Sequence, residues 1–280
     1  MAHPHPPMLA VGHSPPRLAL GLAALIALAA GCASRADAPV PERIEALLPA
    51  DVLLLGEQHD AAEHQALQRE AVLALTAKGQ LAALALEMAE SGRSTARLGT
   101  TASEAQVRTA LAWNDKGWPW QAYGPVVMDA VRAGVPVLGA NLPRARMKDA
   151  MSDVSLDVQL NEKALAAQQA AVRDGHCGLL PEAQIAPMTR IQIARDRAMA
   201  HTAAQAVAPG RTVLLLMGSA HADKALGVPQ HLPTELRVRS VGLVAGDAQR
   251  TDSFDARWRT PALPPKDYCA SLRAGEKPGA

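Results

Sequence analysis

The sequence predicts an α/β fold, a parallel, doubly wound sheet flanked by helices, with a helical insert between the third and fourth core strands. Three observations predict it. Apolar runs too short for helices recur along the chain, as strands covered on both faces require. Stretches with helical spacing alternate with them, the pattern of repeated βα units. The runs also end in polar residues, where an open parallel sheet offers its ligand crevice.

Size and composition bound the rest. A chain of 280 residues has room for one large α/β domain with a substantial core. Formal charge is +1, and setting aside the N-terminal segment with its single Arg17 leaves 27 basic against 27 acidic residues. No basic block stands out, which argues against a nucleic-acid partner. Aromatics are scarce, with one Phe, two Tyr and four Trp, so Ala-rich helices must do most of the packing.

Residues 18 to 30 form an apolar segment too short to span a bilayer permanently, ending in Ala29-Ala30-Gly31-Cys32. Residues 1–31 therefore read as a signal peptide. The ending is similar to the bacterial lipoprotein cleavage box, with Leu28 displaced from its usual place. Cys32 would become the lipidated first residue, and residues 32–46 a tether. By analogy with other lipoproteins, Ala33 and Ser34 permit an outer membrane address facing the periplasm.

The core is expected over 47–250. Its first strand is Val52-Leu-Leu-Leu-Gly-Glu-Gln-His-Asp60, which delivers Glu57, Gln58 and His59 to its carboxyl end. Asp60 and Glu63 have capping-box spacing for the next helix, whose apolar stripe is Leu67, Ala71, Ala74 and Leu75. Leu81-Ala-Ala-Leu-Ala-Leu-Glu87 is the second strand, Val135-Pro-Val-Leu-Gly-Ala-Asn141 the third and Thr212-Val-Leu-Leu-Leu-Met-Gly218 the fourth, with a fifth over 238–243. The insert spans roughly 143 to 207, broken at Gly175-His-Cys-Gly-Leu-Leu-Pro181. Residues 251–280 read as a Pro-rich tail, loose from Pro261.

The chemistry-bearing residues gather at strand ends. Glu57 and His59 follow the first strand, Glu87 the second, Asn141 the third and His221 the fourth. Converging in one crevice, two carboxylates and two imidazoles could bind a divalent metal such as Zn or Mn and activate water, or work as acid and base. The plainer alternative is that they satisfy helix N-termini and loops. A second cluster lies at 113 to 123, where Trp113, Trp118, Trp120 and Tyr123 supply four of the seven aromatics. It suits either a flat apolar ligand or core packing. Once Cys32 is lipidated, Cys177 and Cys269 are the remaining cysteines, and an oxidising compartment favours their pairing. His64, His201 and His231 suggest surface positions without a role. Met88, Met188 and Met199 read as core filler.

The paired Gly56-Glu-Gln-His59 and Gly218-Ser-Ala-His221 motifs, with Leu86-Glu87-Met88 and Gly175-His-Cys-Gly178, resemble the ChaN family over about residues 47 to 245. That family of haem-binding lipoproteins belongs to a superfamily with the Tiki metalloproteases and the erythromycin esterases. The superfamily resemblance implies that Glu57, His59, Glu87 and His221 descend from a hydrolase-like site. The ChaN resemblance implies haem binding in bacterial iron uptake, with ferric iron held by a tyrosine, a histidine nearby, and two haems meeting in a homodimer. Phenolate oxygen suits ferric haem. Of the two tyrosines, Tyr123 lies in the aromatic segment with Trp118 and Trp120 and is preferred over Tyr268 in the tail. His176 is the candidate neighbour of the tyrosine or of a second haem.

The leading expectation is therefore a lipid-anchored haem carrier, with haem receptor or transporter components as further partners. The alternative is a metal-dependent hydrolase at the strand-end crevice.

Overall fold

Val52, Leu53, Leu54 and Leu55 are all fully buried, because β1 (Val52–Glu57) lies inside the sheet with a parallel neighbour on either side. Each such side chain contributes about 1.5–3 kcal/mol on burial. The computed structural model of the chain describes residues 1–2, 38–247 and 253–274. Apart from residues 1 and 2, the expected signal peptide lies outside the described residues, as does Cys32. Among the described residues no helix is long and apolar enough to cross a membrane.

From Ala38 the elements are α1 (Val40–Glu45), β1, α2 (Ala62–Ala77), β2 (Leu81–Glu90), α3 (Glu104–Ala110), α4 (Trp120–Arg132) and β3 (Val137–Asn141). The insert follows as α5 (Met147–Ser152), α6 (Glu162–Gly175) and α7 (Glu182–Gln205). Then come β4 (Thr212–Gly218), the single turn α8 (Ser219–Ala222), β5 (Val238–Ala245), β6 (Ala256–Thr260) and α9 (Ala270–Arg273). The strands form one sheet in the order β3-β2-β4-β1-β5-β6, and every strand pair is parallel. The chain winds from β1 out to β3, then back through β4 to β6. Crossovers of one hand therefore send helices to opposite faces in the two halves. Leu53 and Leu55 join a core with α1, α2 and α4. Val52 and Leu54 join the other, with Met199, Ala200 and Ala203 of α7. Loops leaving β1 and β2 turn to one face and the loop leaving β4 to the other, so a crevice opens where β4 lies between them.

Three sequence expectations are corrected. The tether expected over 32–46 is helical over Val40–Glu45, with Val40 and Ile44 buried in the first core. Asp60 does not cap α2, whose N-cap residue is Ala61 with no side-chain cap bond. The tail expected over 251–280 contributes β6, which closes the sheet beside β5. Its sequence, Ala-Arg-Trp-Arg-Thr, buries only Trp258 deeply, which is the weak alternation of an edge strand.

Candidate functional site

The strand-end residues do converge, and they form two adjoining networks. In the register, Glu57 pairs with Gly218 and Leu86 with Leu216, which sets both carboxylates beside the end of β4. Glu57 is 1 % exposed. Its Oε1 accepts from the Tyr123 hydroxyl at 2.5 Å and lies 2.7 Å from His59 Nδ1. Its Oε2 accepts from the Gln65 and Gln68 amides at 2.9 and 2.8 Å. Burial would lower the His59 pKa, but the hydrogen bond to Glu57 and the charges of Glu87 and Glu57 raise it overall. Burial, followed by the Glu57 charge, raises the Tyr123 phenol far above its ordinary range and keeps it neutral.

Glu87 anchors the second network. Its Oε1 accepts from Arg195 at 2.5 Å, and its Oε2 accepts from the Gly218 amide at 2.7 Å. Burial would raise this carboxyl, yet His221, Arg195, His59 and the Gly218 amide together bring it to about 2. His221 Nε2 stands 3.7 Å from Glu87, and its Nδ1 is 2.5 Å from Asp196 Oδ1. Burial raises the Asp196 pKa, outweighing the charge and hydrogen bond of His221. Asn141 donates to the Glu87 carbonyl oxygen at 2.9 Å and accepts from Arg195 at 3.0 Å.

The two Gly-x-x-His motifs explain each other. A Cβ on Gly56 would sit 2.9 Å from Ser219 Cα and 2.7 Å from Ala222 Cβ, and a Cβ on Gly218 would sit 2.9 Å from His59 Nε2. Each glycine thus makes room for the other motif.

Aromatics wall the site. Trp118 meets the His59 ring edge-on at 4.8 Å and the Tyr123 ring at 5.9 Å. Trp120 is a core residue whose indole donates to Glu104 at 3.0 Å. Tyr268 lies on the surface, 52 % exposed. Its hydroxyl donates to Asp60 Oδ2 at 3.0 Å and accepts from Gln58 Nε2 at 2.9 Å. Lys266 bonds Asp60 at 3.0 Å and stands 4.8 Å from the Tyr268 ring centre. A cleft of about 310 Å³ is lined by Asp60, Leu263, Pro264, Pro265, Lys266 and Tyr268. Cys177 and Cys269 are disulfide-bonded, which ties the neighbour of Tyr268 to the neighbour of His176. His176 Nδ1 donates to the Val172 carbonyl at 2.7 Å.

Several participants escaped the sequence reading. His64 is fully buried, not on the surface: its Nδ1 accepts from the Gln58 amide at 3.0 Å and its Nε2 lies 3.1 Å from Thr260 Oγ1. Gln65 and Gln68 share its helix face, directly after the first polar strand end. Asp196 carried a readable signal, since it falls in the buried stripe Ile193, Asp196, Met199, Ala200, Ala203, where an acid needs a partner. Glu57, His59, Glu87 and His221, the set expected to hold a divalent ion, divide between the two networks, and among the described residues no three His, Cys, Asp or Glu side chains are disposed to hold a metal ion. Tyr123, Gln65, Gln68, Arg195 and the Gly218 amide take up the carboxylate oxygens instead.

One solved structure and a family model agree with this architecture. A solved structure titled "Cofacial heme binding to ChaN of Campylobacter jejuni" is similar at 26% identity and TM-score 0.65, covering 76% of this chain and 89% of that one. The type III effector HopBA1 is similar at 15% identity and TM-score 0.46, covering 81% of this chain and 95% of that one. No curated protein sequence matches. The family model described as "Haem-binding uptake, Tiki superfamily, ChaN" matches residues 43–232, and the chain belongs to that family.

Proposed function

We propose that this chain binds ferric haem at the carboxyl edge of the sheet, through a tyrosine, in haem and iron uptake. Membership of the ChaN family supports haem as the ligand. The observation that carries the site is the exposed Tyr268 phenol in an apolar cleft. Leu263, Pro264 and Pro265 offer a flat apolar shelf, Lys266 a cation for a propionate, and Asp60 Oδ2 is already the acceptor for the phenol proton. Tyr123, the tyrosine favoured from sequence, is 1 % exposed and occupied by Glu57. It would have to abandon that carboxylate to meet iron, so its part is to hold Glu57. His176, next to the disulfide, suits the histidine near the ligand. A haem held by these surface residues would be open to a second haem-loaded copy, which would cover it as a homodimer. Lipidation at Cys32 would anchor the chain to the outer membrane facing the periplasm. The disulfide accords with that oxidising compartment.

Titrating ferric haem into the purified protein tests the reading. Saturable binding is expected, with a tyrosinate-type visible spectrum that is lost in Tyr268→Phe and kept in Tyr123→Phe. The reverse pattern would return the ligand role to Tyr123, and absence of saturable binding would sink the haem reading.

A further inference from the structure

We propose that the Cys177–Cys269 disulfide is a redox latch on the haem site, and that its reduction by a dithiol frees the segment carrying Lys266 and Tyr268 and so releases haem. The proposal rests on the haem reading above. The segment between β6 and α9 has no helix or strand, and residues 264 to 268 are all exposed. Its close approach to the body on the β6 side is at Ala262, where a Cβ on Gly246 would sit 2.9 Å from the Ala262 Cβ. Beyond that point, among the described residues, the side-chain bonds holding residues 263 to 269 to the rest of the fold are few. They are the bonds of Lys266 and Tyr268 to Asp60, that of Gln58 to Tyr268, and the disulfide.

Those polar bonds are weak in water. The Lys266 and Asp60 side chains are 59 % and 35 % exposed, and such pairs hold little against solvent. The covalent bond is therefore what keeps Tyr268 beside Asp60. It reaches across 92 residues to the turn after α6, so losing it leaves, among the described residues, only the exposed polar bonds at Asp60 and Gln58 to hold residues 263 to 269 by their side chains. Both cysteines are partly exposed, within reach of a reductant. In the exchange, one thiolate of the dithiol attacks a sulfur, the Cys177–Cys269 bond breaks, and the departing sulfur takes up a proton. The second thiol then resolves the mixed disulfide. Two protein thiols and one reductant disulfide result, with both electrons coming from the dithiol.

The test loads the full chain with ferric haem and follows transfer to excess apomyoglobin, for the disulfide form, for Cys177→Ser with Cys269→Ser, and for Tyr268→Phe in each background. We expect haem to leave the disulfide-free protein about tenfold faster or more, because the ligand loses its effective concentration at the site. Tyr268→Phe should accelerate release in the disulfide form and add little once the disulfide is gone. Reducing the folded protein with a dithiol, then alkylating and removing the reagent before haem is added, gives the same comparison should the serine variant fail to fold. Equal release rates with and without the disulfide, with Tyr268→Phe still accelerating both, would overturn the latch and leave the haem reading standing. Absence of haem binding by the disulfide form would overturn both.

Discussion

The two tyrosines sit in the same chemical company, and burial alone separates their roles. Tyr123 donates to Glu57, which also accepts from Gln65 and Gln68. Tyr268 donates to Asp60, which also accepts from Gln58. The first group is sealed between β1, α2 and α4, so every member depends on the others being present. The second lies on the surface, where water can replace any member and a ligand can too. A tyrosine, a carboxylate and a glutamine amide thus lock the fold in one place and leave a reachable phenol in the other.

The sharpest way to break this comparison is to remove each carboxylate. Glu57→Ala leaves the Tyr123 hydroxyl and the Gln68 amide buried without an acceptor, and leaves Gln65 only the His59 carbonyl at 3.3 Å. It should cost about 3–5 kcal/mol, measured by denaturant unfolding. Asp60→Ala should leave the unfolding midpoint nearly unchanged, since its partners turn to water. A similar loss in both variants would erase the distinction.

That contrast also marks what the sequence made legible. Strands β1, β2 and β4 were readable because a strand buried on both faces is a continuous apolar run, and Glu57, Glu87 and His221 because polarity begins where the run stops. Asp196, Gln65 and Gln68 were obscured, because a buried polar residue on a helix looks like a surface one unless its stripe position is checked. Tyr268 ranked below Tyr123 for a different reason. A Pro-rich tail carries no periodicity, and the disulfide to Cys177 and the contact with Asp60, both distant in sequence, set it beside the end of β1. The aromatic cluster at 113 to 123 gave composition without direction: Trp120 turned to the core and Trp118 to His59.

Acid sharpens the same comparison. The Glu87 carboxyl lies at about 2 against an ordinary 4.5, a depressed value, so it contributes stability that is present above pH 4.5 and lost as pH falls through about 2. The total is on the order of 3 kcal/mol. Asp60 is also lowered: burial would raise it, but hydrogen bonds from Lys266, Tyr268 and Gln58 outweigh burial. Its contribution has the same sign but is screened by solvent. Unfolding free energy should therefore fall between pH 4.5 and 2 by an amount that 0.5 M salt barely alters. A fall abolished by salt would mean surface pairs, not Glu87, carry the acid sensitivity.

The smallest expected effect is in the tyrosine pair itself. Tyr123→Phe keeps the ring packed against Trp118 but takes one donor from Glu57, which retains Gln65, Gln68 and His59. A cost of about 1–2 kcal/mol in denaturant unfolding follows, with the phenyl ring filling the same space. Tyr268→Phe should stay within about 0.5 kcal/mol of the parent, as surface substitutions do. Stability and haem spectrum would then respond to opposite tyrosines. If Tyr268→Phe destabilised the fold as much as Tyr123→Phe, the surface group would be part of the folding core, and a segment that opens to release ligand could not be built from it.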